Sequence, residues 1–513
     1  MLISKILKSM KTYNLLILSI ILVFTSCDLE REPYGIANFW KTEKDAQLGL
    51  DAAYAPLYEE EGYGEGHFWA GGASDDMITY PNEGTANAVC EFRTSTNDAW
   101  GMYDNWQLMY RTIRRASDVI KNVPAIELSD SSRNKLLGEA NFLCGYSYFF
   151  LAKRYGGLPF YDNTKPDEIN KPRETKEETY KRIEAYLLKS IQYYESEGLW
   201  KRTDDDLGRP NLGAAYGLLA KVYAHWGKFQ ECKTACEKVI NSGQYQLDTT
   251  NNNGFADLFS PAGEKNTEVL FNLVNTPVRH KGTVTSVILL PSGLSGGTGW
   301  SGFAPTKSLY DAFEAGDLRK HVTAVGPGDE VNYLGENRIV SADDLSNMLT
   351  GYAGNKYAAA YNTMAEFNWE SGADIPLLRY SDVLLLHAEA IMQLGGAGPN
   401  NPNVGVAAAA ESFNKVRVRA FGNNISKAIV LPTFNDLVKE RRCELAYEDE
   451  RHFDLVRWGM AESIYNSATT ATDPRGARHF VAGKNDHLPL PQREIDNSNG
   501  VLINNPSPGY STF

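Results

Sequence analysis

Residues 216–239 read YGLLAKVYAHWGKFQECKTACEKV, and the spacing of their apolar and small side chains predicts two helices folded back on each other. Tyr216, Leu219, Ala220, Tyr223, Gly227, Phe229, Cys232, Cys236 and Val239 stand at the offsets of a tetratricopeptide helix pair. Ala220 and Cys232 are small where the two helices must approach closely, the aromatic rings fill the remaining space, and Gly227 permits the turn. One such pair cannot bury its own apolar face, so neighbours are required.

The neighbours are legible on both sides. Trp106 to Val119 and Glu178 to Tyr194 read as amphipathic helices, and Leu136 to Tyr155 as a helix ending at Gly156-Gly157-Leu158-Pro159. A second pair runs from Tyr380 to Leu394 and from Val404 to Ala420, with Tyr380, Val383, Leu384, Ala388 and Ile391 on one face of its first helix. Between Asn241 and Asn368 the composition shifts to Asn, Gly, Ser and aromatics, with strand-like runs at Val269 to Val274 and Val284 to Leu290. Residues 468–513 are again loop-rich. The predicted fold is mainly α: a tetratricopeptide-like helical-repeat scaffold with long irregular loops and short strands.

The N-terminus carries Lys5, Lys8 and Lys11 without an acid, then a run from Leu15 to Phe24 that is apolar apart from Ser19. At 1.5 Å per residue such a core is about 15 Å long, roughly half a bilayer's hydrocarbon thickness, which fits an export signal better than a membrane span. It ends Thr25-Ser26-Cys27, which resembles a lipoprotein processing site, so residues 1–26 are read as the signal and Cys27 as the lipidated residue. Asp28, Glu30 and Glu32 follow, and acids there resemble a surface-export signal of bacterial lipoproteins. Removing three lysines with the signal takes the net charge from −13 to −16, which argues against nucleic acid as a partner. The remaining chain divides into an N-terminal helical region, 27–240, and a C-terminal region, 241–513, that carries the binding loops and further helix pairs.

Cys90, Cys144, Cys232, Cys236 and Cys443 are an odd five with no paired framework, so no disulfide scaffold is expected. Cys232 and Cys236 lack a second ligand pair at metal spacing, and no metal or cofactor is expected. Pattern matches to enzymes fail in context. Gly293-Leu294-Ser295-Gly296-Gly297 fits a nucleophile elbow, but glycines follow where a helix must start. Residues 297–302 fit a phosphate-binding glycine pattern without a βαβ unit around it. Asp75-Asp76 is read as a turn or a polar ligand contact rather than a catalytic pair.

The most charged stretch is Glu440 to Gly459, ERRCELAYEDERHFDLVRWG, read as one helix with Arg441 and Glu444, Glu448 and Arg451, and Asp454 and Arg457 paired at i,i+3. Thr433 and Asp436 form a capping box after Pro432. Arginines hold such acids ionised, which suits a scaffold rather than general acid catalysis.

This stretch resembles the long signature of the SusD/RagB family. Residues 378–390 (LRYSDVLLLHAEA), 413–420 (FNKVRVRA), 488–496 (LPLPQREID), Asn504-Asn505-Pro506 and Pro508-Gly509-Tyr510 resemble it too. The resemblance implies a lipid-anchored outer-membrane protein at the cell surface, a lid on a SusC-like TonB-dependent transporter, that binds the transported nutrient, commonly an oligosaccharide, without chemistry of its own. The rival reading is a surface glycoside hydrolase, which needs two carboxylates about 5 to 10 Å apart across a cleft.

Sugar sites combine aromatic platforms with amides and carboxylates. Trp69, Tyr80, Trp300, Tyr333 and Trp369 lie outside the strongest helical segments, and with Asp75 they are the candidate ligand-binding residues. Trp300 leads because glycines flank it; Trp226 and Trp458 are assigned to the core.

Overall fold

The computed structural model describes residues 39–504 apart from 65, 67, 80–83, 98–101, 162–169, 203–205, 250–253, 279–280, 334–335 and 359–368. The export signal, Cys27, Tyr80 and the motif at 505–510 lie outside the described residues.

Helix boundaries follow local chemistry. In α1, Glu43–Tyr54, the Thr42 side chain accepts from the Asp45 N–H and the Asp45 carboxylate accepts from the Thr42 N–H. α2 is Met102–Asn122 and α3 is Asp130–Tyr155, the latter capped by Ser129 and ended by Gly156 at φ 78°. Thr175 and Asn211 cap α4, Lys176–Glu197, and α5, Leu212–Trp226. Each cap satisfies a backbone N–H that the helix leaves without a partner.

α3 packs between α2 and α4, and nearly every residue from Leu136 to Ala152 is buried. A helix buried on all sides takes such a central place, its buried Glu139 paired with Arg202 and Arg209. α5 turns at Gly227, φ 80°, into α6, Phe229–Asn241. Ala220 and Cys232 are fully buried, as the repeat requires.

Strand β1, Val269–Leu273, pairs antiparallel with β2, Ile375–Arg379, Val269 opposite Arg379 and Leu273 opposite Ile375. Residues 274–374 therefore form an insertion whose two ends are clamped by one small sheet. Helix α7, Thr285–Leu289, lies inside it. Beyond β2 come α8, Tyr380–Leu394, α9, Ala410–Ala420, α10, Phe434–Leu445, and α11, Arg451–Arg457. The Cys232 thiol lies 3.9 Å from the Leu386 carbonyl oxygen, so α6 is held between α5 and α8. The main core runs from Ala46 to Leu502 across position 240; Phe142 meets Phe271 edge-on at 5.0 Å.

Four local readings are corrected. Val284–Leu290 is not a strand: residues 285–289 form α7, and a short apolar run buried on all sides has no period that separates helix from strand. The helix expected from Val404 starts at Ala410, after a 3-10 turn at Ala407–Ala409. Trp226 is only half-buried, its ring stacked on Tyr180 with the Lys228 ammonium 3.3 Å from its centroid.

The stretch 440–459 is two helices rather than one, α10 and α11, with Tyr447 and Asp449 at positive φ between them. Of its three expected i,i+3 pairs only Asp454 with Arg457, 2.8 Å, is made. Arg441 binds Asp382 and Asp454 instead, and Glu448 binds Lys356 and Arg379. The capping box of Thr433 and Asp436 is present.

Candidate functional site

The ends of the insertion are fixed by buried charge. Glu444 on α10 accepts from Arg379 at 3.0 Å, Arg419 at 2.5 Å and Arg319 at 3.0 Å, while Glu268 accepts from Arg379 at 2.6 Å and Arg419 at 3.0 Å. Burial alone raises the Glu444 carboxyl; Arg419, Arg379 and Arg319 outweigh it and hold the group well below the ordinary carboxylate range. Arg379 closes β2, Glu268 precedes β1, and Arg319 lies inside the insertion, so this network ties the insertion to the scaffold.

Asp75 belongs to a similar device. Its two oxygens take Arg451 Nε at 2.9 Å and Nη2 at 3.0 Å, and Arg442 adds a contact at 3.2 Å. Burial raises this carboxyl as well, but Arg442 and Arg451 prevail and keep it ionised. Asp76 binds Arg442 Nε at 2.6 Å. The pair is a buried clamp between the N-terminal segment and α10 and α11, and Asp75 presents no oxygen to a ligand.

Tyr333 is also inside. It is 4% exposed, in a hairpin of Glu330–Tyr333 with Glu336–Ile339, and its hydroxyl donates to Asn355 Oδ1 at 2.7 Å. Trp69 lies in the short helix Phe68–Ala73, where its neighbour Phe68 packs on Phe303 and Tyr447.

Two of the candidates do meet. Trp300 and Trp369 form an edge-to-face pair, centroids 6.2 Å apart and planes at 70°. Trp300 is the half-buried member: its backbone N–H donates to the Val287 carbonyl at 2.9 Å and its ring lies against a core shared by the insertion, the N-terminal segment and α10. Trp369 is 60% exposed. The glycine before Trp300 serves backbone approach rather than ring access, since a Cβ on Gly299 would stand 2.1 Å from the Leu290 carbonyl oxygen. Glu370, beside Trp369, went unnoticed in the sequence; its carboxylate accepts the Gly282 N–H at 3.4 Å. Its one sequence signal is adjacency to an exposed tryptophan.

Two groupings that could carry chemistry are otherwise engaged. Ser295 Oγ donates to the Pro291 carbonyl and accepts the Gly299 N–H, and residues 293–297 are turn. His225, Glu450 and Asp454 approach within 4.8 Å of one another. However, Lys153 and Lys221 hold Glu450, while Arg441 and Arg457 hold Asp454, so a divalent cation there faces four positive groups.

A family model described as the SusD family matches residues 242–510, and one described as starch-binding, associating with outer membrane, matches residues 42–224. SusD-like protein P2 of Formosa agariphila is 27% identical to this chain, the match covering 98% of this chain and 100% of that one. A SusD-like protein from Bacteroides fragilis superposes with a TM-score of 0.76 at 21% identity, covering 91% and 98% of the two chains. Surface glycan-binding protein A from Bacteroides thetaiotaomicron, in complex with laminarihexaose, superposes with a TM-score of 0.73 at 22% identity, covering 90% and 99%. A SusD scaffold, a match over more than half the sequence and the signature at 440–459 agree: the chain belongs to the SusD family.

Proposed function

We propose that the chain is a cell-surface glycan receptor of the outer membrane. It is lipid-anchored at Cys27 once residues 1–26 are removed, and it passes an oligosaccharide to a SusC-like TonB-dependent transporter without cleaving it. The observation that carries this reading is the tryptophan pair: Trp369, 60% exposed, is braced edge-on by the half-buried Trp300. A braced, exposed ring offers an apolar plane to the C–H face of a sugar at little conformational cost. A structure of the same fold was solved holding laminarihexaose, which supports a saccharide as the ligand class.

The test is affinity electrophoresis of residues 27–513 through gels of laminarin, starch, xylan, mannan, xyloglucan, alginate and polygalacturonate, with a reducing-end assay on each. At least one polysaccharide is expected to slow the protein, and Trp369→Ala to restore its mobility, with no new reducing ends. Turnover of any of them contradicts a receptor without chemistry, and retardation that survives Trp369→Ala contradicts the site.

A further inference from the structure

A cleft of about 260 Å³ is lined in part by Glu370, the residue after Trp369, and by none of Trp300, Tyr333 and Trp369. Its walls come from distant parts of the chain: Tyr58 and Glu60 after α1, Asn275 and Val284 from the start of the insertion, and Glu370 from its end. The cleft and the pair share their backbone supports. Thr283 and Ser371 exchange N–H to carbonyl bonds at 3.0 and 2.8 Å, Trp369 stands two residues before Ser371, and Trp300 hangs from Val287 in the helix that follows Val284. Glu370 therefore lines the cleft and directly follows the exposed tryptophan in the chain.

We infer that this cleft is a second saccharide subsite, taking one pyranose ring of the chain that crosses Trp369. The inference rests on the glycan-receptor reading above.

Size comes first. Small-molecule pockets span roughly 300–1,000 Å³, so a cleft at the lower end takes a single ring and not an oligosaccharide. Tyr58 supplies the platform. It is 45% exposed on the wall of the cleft, so part of its ring is accessible to a ligand. A tyrosine has only two side-chain torsions to fix, so it loses little freedom on stacking against a sugar.

Polar partners for hydroxyls stand at the edges. Glu60 and Glu370 bring carboxylates, and Asn275 is fixed by its amide on the Leu273 and Ala373 carbonyls at 3.3 and 2.9 Å. Few polar groups on a partly apolar wall is the usual make-up of a site that orients a small ligand. The walls are also set by close backbone approach. A Cβ on Gly282 would fall 2.8 Å from the Ser371 carbonyl oxygen, and one on Gly64 would fall 3.1 Å from Val284 Cγ2.

The experiment uses the polysaccharide that slows the full mature chain most, cut into oligosaccharides of one to six sugars. Calorimetry on wild type should show affinity rising with length as the second subsite fills. In Tyr58→Ala the longer oligosaccharides should bind about tenfold more weakly, with the shortest fragment unchanged, so the length dependence flattens. Glu370→Gln, which keeps size and fold, should flatten it in the same way, and serves if Tyr58→Ala does not fold. Trp369→Ala should weaken every length. Variants at Tyr58 and Glu370 that keep the wild-type length dependence overturn the cleft while leaving the receptor reading intact. A wild-type chain slowed by no polysaccharide overturns both.

Discussion

The helical scaffold and the outer face of the insertion at 274–374 are built on opposite terms. In the scaffold, buried charges are held several times over: Glu444 alone takes three arginines, and Asp454 takes two. In the insertion, the described helices and strands are two to five residues long, and the exposed Trp369 rests on one ring contact among the described residues. A frame that is over-determined can carry loops whose side chains vary, which is how a single fold presents different binding surfaces.

If that contrast holds, the largest loss comes from the network that joins the two regions. Glu444→Ala leaves Arg379, Arg419 and Arg319 buried with one acceptor fewer, and should cost about 3–5 kcal/mol. Denaturant unfolding measures it; a loss under 1 kcal/mol would break the contrast at its base.

Asp374, at the seam where the insertion returns to β2, behaves differently. It is 1% exposed and accepts from the Asn275 N–H at 3.0 Å and the Asn272 amide at 3.2 Å, and burial pushes its carboxyl up to about 8. An unfolded aspartate titrates near 3.9. A folded value raised above the unfolded one contributes stability that is complete below about pH 4, declines as pH rises, and is lost above about pH 8. Asp374→Asn never ionises, so relative to wild type it should gain several kcal/mol between pH 4 and pH 9. Urea midpoints at those two pH values test this; an unchanged difference would mean that Asp374 finds a compensating cation.

A smaller effect is expected at a helix end. Asn211→Ala removes the acceptor of the Ala214 N–H at 2.9 Å at the start of α5, and should cost about 1 kcal/mol. The smallest belongs to the insertion's surface: Trp369→Ala should move stability by no more than about 0.5 kcal/mol, because the ring is mostly in solvent. A loss above 2 kcal/mol there would make Trp369 part of the frame.

Legibility in the sequence divides along the same line. The helix pair at 216–239 and the capping box of Thr433 with Asp436 are readable because their partners lie close by in the sequence. The pairing of the 440–459 stretch was not, since Arg441 reaches Asp382 and Glu448 reaches Lys356. Asp75 looked like a ligand contact because nothing local shows that Arg451, 376 residues away, will cover it. Tyr333 failed for the same reason, being covered once the hairpin folds onto its own small core. Trp300 and Trp369 were both named, but their pairing depends on the sheet that closes the insertion, and Tyr58 belongs to a wall assembled from both ends of the fold.

The central claim is that an exposed ring braced by a half-buried one captures a glycan. Its most direct test is calorimetric titration of wild type and Trp369→Ala with the hexasaccharide of whichever polysaccharide slows the mature protein in the gel. Removing the platform should weaken binding by about 1–3 kcal/mol, roughly 5- to 150-fold, with the melting temperature unchanged. Equal affinity in the two proteins would contradict the account, because the glycan would then be held by surfaces other than the tryptophan pair.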